Sequence, residues 1–265
     1  KLPGVQSVVV VARNYYSDVL PAFPEHLRVA RYAWGEDYHR VLHHSLKDLA
    51  DFITSLGNDV ATYISVDTGP VLEKAWAVRA GLGWRGKNSL VLNPELGSWF
   101  FIGVIATTLA LPPDPPMENL CGDCNACIRS CPTGAIVSPH TVDARRCIAY
   151  HNVENKGKIP AEVAVKLNGW LFGCDICQEV CPWNRNRKET TEPRLKPFSS
   201  ITRITATELL NITETQFRER FFRSSLCRAG LSKLKRTALD VIRYNQMNSA
   251  EVAIKSDEEV PKEPP

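Results

Sequence analysis

Eight of the nine cysteines fall between Cys121 and Cys181, and their spacing constrains this chain more than any other feature. The first run, Cys121-x2-Cys124-x2-Cys127-x3-Cys131-Pro132, has the spacing of bacterial proteins that carry a pair of [4Fe–4S] clusters. Three closely spaced thiolates on a turning backbone reach three irons of one cube, while the cysteine before the proline points to the other. The second run is Cys174-x2-Cys177-x3-Cys181-Pro182, with Cys147 upstream in the place of its first member. This pseudo-twofold exchange predicts Cys121, Cys124, Cys127 and Cys181 on one cluster and Cys131, Cys147, Cys174 and Cys177 on the other. Zinc binds Cys-x2-Cys pairs too, but it accounts neither for two Cys-Pro endings nor for eight ligands divided four and four. A secreted disulfide framework belongs to short chains behind a signal segment, so the thiols point instead to a reducing, cytoplasmic setting. Cys227 stands apart and reads as a small buried hydrophobe.

Around this centre the chain divides readily. Ser7 to Ala12 is β-branched, is flanked by Pro3-Gly4 and Asn14, and predicts a buried strand. Apolar residues recur at helical spacing from Tyr38 to Leu56 and stop at Gly57. Ala61 to Val66 is a further strand, Pro70 opens a helix that Gly81 and Gly83 close, and Ser89 to Leu92 and Ser98 to Thr107 are strands again. Such alternation predicts an α/β layer. The expected architecture is α/β or α+β: an N-terminal α/β domain over 1–112, a ferredoxin-like two-cluster domain over 113–190, a helical basic region over 191–250 and a flexible tail over 251–265. The stiff run Leu111 to Pro116 marks the first boundary. The longest apolar runs are too short to span a bilayer, and neither has the flanks of a secretory signal, so no membrane partner is expected. The first residue is Lys, and the chain is expected to begin inside a longer product.

Two clusters form a wire, and a wire needs a terminus. No Gly-x-Gly-x-x-Gly follows a strand, and Gly81-Leu82-Gly83-Trp84-Arg85-Gly86-Lys87-Asn88-Ser89 lacks the spacing of a nucleotide-hydrolysing loop. That loop can cradle a phosphate or an amide-bearing cofactor, or serve as a plain turn. Asp67 ends a predicted strand, where α/β layers present side chains to a ligand crevice. A desolvated carboxyl there has a raised pKa and donates protons; the alternative is an aspartate that accepts backbone N–H groups at a helix start.

Several segments carry a resemblance: Arg31-Tyr32-Ala33-Trp34-Gly35-Glu36-Asp37-Tyr38-His39, Val66-Asp67-Thr68-Gly69-Pro70-Val71-Leu72-Glu73, the Gly81 to Ser89 loop, Cys131-Pro132-Thr133-Gly134-Ala135-Ile136, Asp143-Ala144-Arg145-Arg146-Cys147-Ile148 and the run from Phe172 to Arg185. From about Pro3 to Asn245 the chain resembles the epoxyqueuosine reductase family. The resemblance implies an oxidoreductase that uses cobalamin and two [4Fe–4S] clusters in the last step of queuosine biosynthesis. It removes the epoxide oxygen of epoxyqueuosine at the wobble position of a tRNA anticodon. Residues 1–112 then form a cobalamin-binding domain whose N-terminal part is missing, and many members continue beyond the basic helices into a helical-repeat domain.

By the same resemblance Asp67 is the acid, and Arg31, Lys87, Asn88 and Asp175 join it around the cofactor. An external low-potential donor supplies electrons to a monomer. Protonating the departing oxygen requires a neutral carboxylic acid, so the pKa of Asp67 is expected to be raised. Asp37-Tyr38-His39 starts the Asp-x-His-x-x-Gly motif of some cobalamin proteins but has Leu42 in place of the glycine. Base-off binding with His39 not a cobalt ligand is the expectation.

Net charge is only +3, yet Arg218, Arg220, Arg223, Arg228, Lys233, Lys235 and Arg236 crowd one stretch. It reads as a solvated helical face or as a phosphate footprint for tRNA, with Arg185, Arg187 and Lys188 as further partners. Two rival functions stand beside this reading. One is a cobalamin-dependent reductive dehalogenase, which typically has an export signal and a catalytic tyrosine. The other is a non-catalytic ferredoxin-type carrier, and a zinc-bound adaptor is more remote still.

Overall fold

A computed structural model describes residues 2–19, 26–185 and 187–258. The valine-rich β1 (Ser7–Asn14) is followed by β2 (Arg28–Val29), helix α1 (Tyr38–Thr54), β3 (Thr62–Ser65) and α2 (Glu73–Arg79). A hairpin of β4 (Trp84–Arg85) and β5 (Val91–Leu92) leads into β6 (Phe100–Thr107). β6 is the centre of the sheet. It pairs antiparallel with β1 from Ser7↔Thr107 to Asn14↔Phe100 and antiparallel with β3 on its other edge.

The strand order is therefore β1-β6-β3, with β1 and β3 running the same way and the returning strand between them. Alternation along the chain predicted an α/β layer, but the antiparallel central strand makes this part α+β. The apolar stripe of α1 (Val41, Leu42, Leu46, Ala50 and Ile53) is buried on the sheet. The helix starts where the Asp37 carboxylate accepts the His39 amide, and it stops two residues short of the predicted Leu56.

The cysteine region holds α3 (Ala126–Ser130), β7 (Ile136–Ser138), β8 (Thr141–Val142), α4 (Ala161–Ala164), β9 (Trp170–Phe172) and α5 (Ile176–Glu179). Its β9 runs parallel to β2 of the N-terminal segment. The C-terminal helices are α6 (Ser199–Thr202), α7 (Ala206–Asn211), α8 (Glu214–Phe221), α9 (Leu226–Ala229) and α10 (Leu231–Glu258). A capping box, Thr213 with Gln216, starts α8. The last helix carries on through Glu258, into the stretch expected as a mobile tail, and 259–265 lie outside the described residues. No helix among the described residues is long and apolar enough to cross a membrane.

One core crosses the expected boundaries. Val29 and Trp34 pack with Leu167 and Leu171 of the cysteine region and with Phe217, Leu226 and Leu234 of the C-terminal helices. Segment 190–198 also returns to the N-terminal part: Thr190 N–H donates to Tyr16 O, Glu36 N–H to Arg194 O and Phe198 N–H to Trp34 O.

Gly173 lies at this junction with φ +70°, and a Cβ there would fall 2.5 Å from the Ala30 Cβ. Its backbone is clamped by Asn152, which accepts its N–H at 2.9 Å and donates to its carbonyl at 3.0 Å. Gly173→Ala is expected to cost about 1–2 kcal/mol in left-handed strain and about 1–3 kcal/mol in overpacking. A thermal melt of the cluster-loaded variant tests this, and an unchanged midpoint would contradict it.

Candidate active site

Between the sheet and the cysteine region lies an open cavity of about 570 Å³, within the usual size of a ligand site. Its apolar wall comes from Tyr15, just past β1, and from Phe100, Phe101 and Ile102 of β6. Cys131, Cys147, Cys174 and Cys177, the set assigned to one cluster from their spacing, also line the cavity, and no member of the other set does. The Cys181 thiol has Cys121, Cys127 and Cys124 near it, and Cys177 has Cys147 and Cys131 but also Cys127, so the two sets lie side by side. All nine thiols are free. Cys131 Sγ accepts the Ala135 amide at 3.2 Å, a backbone bond that favours a thiolate.

Asp67 lines the cavity at the turn after β3. It is no helix cap, since α2 starts six residues on, and its φ of +54° places it in the left-handed region that aspartate tolerates better than most residues. Tyr38 Oη donates to Asp67 Oδ2 at 2.9 Å, and His39 Nε2 lies 3.2 Å from the same oxygen. His39 Nδ1 lies 2.7 Å from Asp37 Oδ1, so the imidazole bridges two carboxylates. Tyr38 is held by stacking on Phe101, with ring centroids 4.3 Å apart.

This arrangement corrects the expectation of a neutral Asp67. The hydrogen bond from His39 holds its carboxyl below the ordinary value, and Tyr38 assists, against a smaller opposing effect of burial. For His39, burial disfavours the cation, but hydrogen bonds to Asp37 and Asp67 prevail and raise its pKa to about 9. A raised folded pKa means that the imidazolium stabilises the fold fully below the unfolded value near 6.5 and loses that effect as pH climbs through about 9. The melting point of His39→Gln should therefore lie below that of the parent at pH 6, with the gap closing by pH 10. A gap independent of pH would sink the bridge.

The other sequence-derived residues part company. Asn88 and Asp175 line the cavity. The Asn88 side-chain oxygen Oδ1 accepts the Leu90 backbone N–H at 3.2 Å. Asp175 is buried, takes the Arg31 backbone N–H at 2.7 Å and the Gln178 amide at 2.9 Å, and has its pKa pushed up to about 6 by burial despite these bonds.

Arg31 and Lys87 do not line the cavity. Arg31 lies buried against Trp34 and Trp99 and donates to Glu179 at 2.7 Å, so it reaches the cavity only through Asp175. Lys87 turns to the other cysteine set, donating to Gly122 O at 2.7 Å and Asn125 Oδ1 at 3.1 Å. The glycine loop around it is a packed turn rather than a phosphate cradle, because a Cβ on Gly83 would sit 2.0 Å from Leu92 O.

The basic stretch is also less open than its sequence implies. Arg218 pairs with Glu214, Arg220 with Glu208, and Arg223 with Glu36, while Lys233 and Arg236 donate to the carbonyls of Val153 and Lys156. Arg187 is likewise spent on the carbonyls of Pro94 and Glu95. Arg228 is exposed and reaches His39, with Nη1 2.9 Å from both ring nitrogens. Tyr38 and Arg228 were missed as partners of Asp67, and so was the bridging role of His39. Nothing local marks them, because the contacts join positions 28 to 189 residues apart.

The family described as "Epoxyqueuosine reductase QueG, DUF1730" matches residues 1–68, and the one described as "4Fe-4S double cluster binding domain" matches residues 120–184. The chain is similar to the epoxyqueuosine reductase of Synechocystis sp., with 44% identity over 240 residues, covering 89% of this chain and 83% of that protein. It is also similar to the crystal structure of an epoxyqueuosine reductase with an epoxyqueuosine-modified tRNA-Tyr stem loop, at a TM-score of 0.86 and 35% identity. That likeness covers 92% of this chain and 66% of the other. A structure of the Bacillus subtilis enzyme, with its aspartate-bearing catalytic loop swung out of the active site, matches at a TM-score of 0.85 and 33% identity, over 92% of this chain and 66% of the other.

Proposed function

Because the chain belongs to the epoxyqueuosine reductase family, we propose that it reduces the epoxide of epoxyqueuosine in a tRNA anticodon to the cyclopentene of queuosine. The observation that carries this reading is one cavity lined both by four cysteines and by Asp67. Both implied groups suit the residues present. Two sets of four free thiols match two [4Fe–4S] clusters, and an open, largely apolar cavity with Asn88 and Asp175 at its edge suits the corrin and amides of cobalamin.

In this reading Cys131, Cys147, Cys174 and Cys177 hold the cluster next to the cavity, and Cys121, Cys124, Cys127 and Cys181 hold the outer one, whose loop Lys87 braces. When bound, these groups supply one-electron transfer and a low-valent cobalt reactive toward a strained carbon. The protein supplies the rest. Tyr15, Phe100 and Phe101 exclude water, Asp37 orients His39, and His39 holds the proton that Asp67, its hydrogen-bonded partner, relays to the departing epoxide oxygen. The overall change takes two electrons and two protons and releases water.

Both His39 nitrogens are engaged with carboxylates, which supports base-off binding without a histidine ligand. An external low-potential donor feeds a monomer acting on cytoplasmic tRNA. A dehalogenase or a bare electron carrier is not favoured, since neither accounts for the family match or for the acid in the cavity.

Anaerobic incubation of the cluster-loaded protein with cobalamin, a reductant and a stem loop carrying epoxyqueuosine tests this reading. Nucleoside mass spectrometry should show the loss of one oxygen. Failure of the protein to bind the corrin, or unconverted RNA with all components loaded, would overturn it.

A further inference from the structure

Successive side chains of a strand point to opposite faces, and β4 uses both. Arg85 is exposed and donates to His140 O at 2.9 Å, whereas Trp84 turns inward and is 1% exposed. Asn119 and Lys87 tie this strand and its hairpin to the turn of the first cysteine run. Asn119 donates to Arg85 O at 3.3 Å and accepts the Cys121 amide at 2.9 Å, and Lys87 reaches Gly122 O and Asn125 Oδ1. The Trp84 indole thereby joins a small apolar group with Leu92, Cys181, Cys121 and Trp183.

That indole carries a buried donor, Nε1, with no hydrogen-bond partner among the described residues. Such groups are rare in native folds and call for an explanation. Within its apolar group Leu92 offers a hydrocarbon side chain. Trp183 meets it edge to face, with ring centroids 5.0 Å apart, and has only a donor of its own, which goes to Leu120 O at 3.3 Å. The side-chain atoms of the group able to accept are the sulfurs of Cys121 and Cys181, two members of the set assigned to the outer cluster. Trp99 and Trp170 also have unpartnered indole N–H groups, but their rings are covered by the guanidinium groups of Arg31 and Arg28.

The two cysteine runs differ in this respect. After Cys131-Pro132 stands Thr133, whose hydroxyl lies 3.5 Å from Cys131 Sγ. After Cys181-Pro182 the corresponding residue is Trp183, and its donor is engaged by a carbonyl. Resting on the proposed function and its division of the cysteines, we propose that Trp84 supplies the donor instead: its Nε1–H bonds to a sulfur of the outer cluster and holds that cluster's reduction potential up. A cluster gains negative charge when it takes an electron, so a fixed N–H at its sulfur stabilises the reduced form more than the oxidised one. One electron leaves the external donor and enters the cluster, the N–H stays on the indole, and no bond is made or broken. The cluster whose loop exposes Cys124 is thereby the easier to load from outside.

The test is a potentiometric titration of the cluster-loaded protein, followed by electron paramagnetic resonance. Trp84→Phe keeps an aromatic ring in place and removes the donor. It should shift the one-electron reduction of one cluster about tenfold toward the oxidised form, or about 59 mV to lower potential, and leave the other cluster where it was. Iron should stay at about eight per chain. Adding Trp84→Phe to Cys124→Ala, which is expected to keep the inner cluster, should move nothing. Adding it to Cys177→Ala, which is expected to keep the outer one, should reproduce the shift.

Potentials that stay put in Trp84→Phe, or that fall alike for both clusters, would overturn the proposal, and so would a shift that survives in Cys124→Ala. If Trp84→Phe loses iron, protein made with benzothienylalanine at position 84 decides, because that analogue keeps the shape of the indole and carries sulfur in place of the N–H. Unchanged potentials in that protein, or loss of its iron as well, refute the role. A parent that binds zinc, or holds fewer than two clusters, would instead count against the proposed function.

Discussion

Asp67→Asn is expected to lower single-turnover deoxygenation by about 10²–10⁴-fold, the range for loss of a positioned general acid. Asparagine is the informative replacement. It keeps an oxygen to accept from Tyr38 and it tolerates the left-handed backbone at φ +54°, so neither the turn after β3 nor its hydrogen bond need change. Alanine would add strain of about 1–2 kcal/mol and confuse loss of acid with loss of the turn. What asparagine lacks is a proton to give. Without one, the oxygen leaves as an alkoxide, which the half-exposed site has little means to stabilise. Iron content, visible absorption and stem-loop affinity should match those of the parent. A variant that turns over at the parental rate would take the acid role from Asp67 and leave Tyr38, its nearest hydroxyl, as the group to examine.

The second large effect concerns the cluster wall. Cys177→Ala removes one of the four thiols that line the cavity, and the iron content should fall from about eight to about four per chain. Deoxygenation should cease while the stem loop still binds, because in the proposed reading the cluster that Cys177 would help hold is the one that would supply electrons to the cavity. Cys124→Ala, in the exposed outer loop, should also lose about four irons. It should still permit a single turnover when a small chemical reductant reaches the inner cluster directly. Equal loss of that chemically driven turnover in both variants would mean that the division into inner and outer clusters is wrong. Zinc in place of iron in the parent would remove the electron supply altogether.

Much of the site was legible because its chemistry is written in short-range spacing. A cube of iron and sulfur demands several thiolates from one tight turn, so the cysteine runs mark a double-cluster domain before any fold is known. The place of Asp67 beside a cavity was legible for a similar reason, since it follows a strand and opens a Thr-Gly-Pro turn. Lys87 shows where such reading stops. It stands beside Asn88 in one loop, but the β4–β5 hairpin turns Asn88 toward the cavity and Lys87 toward Gly122. Arg31 was misplaced likewise: a cation in a motif-rich segment proved to be a buried prop for Asp175.

The chain alone determined the kind of chemistry, because metal ligands, strand ends and helix periods are local properties of backbone geometry. Only the folded molecule decided that β6 returns between β1 and β3, that α9 lays Arg228 against a histidine 189 residues away, and that His39 and Tyr38 lower the pKa of Asp67. Those outcomes depend on charges and surfaces meeting across long loops, and the proton affinity of a side chain is set by whichever partners packing brings to it.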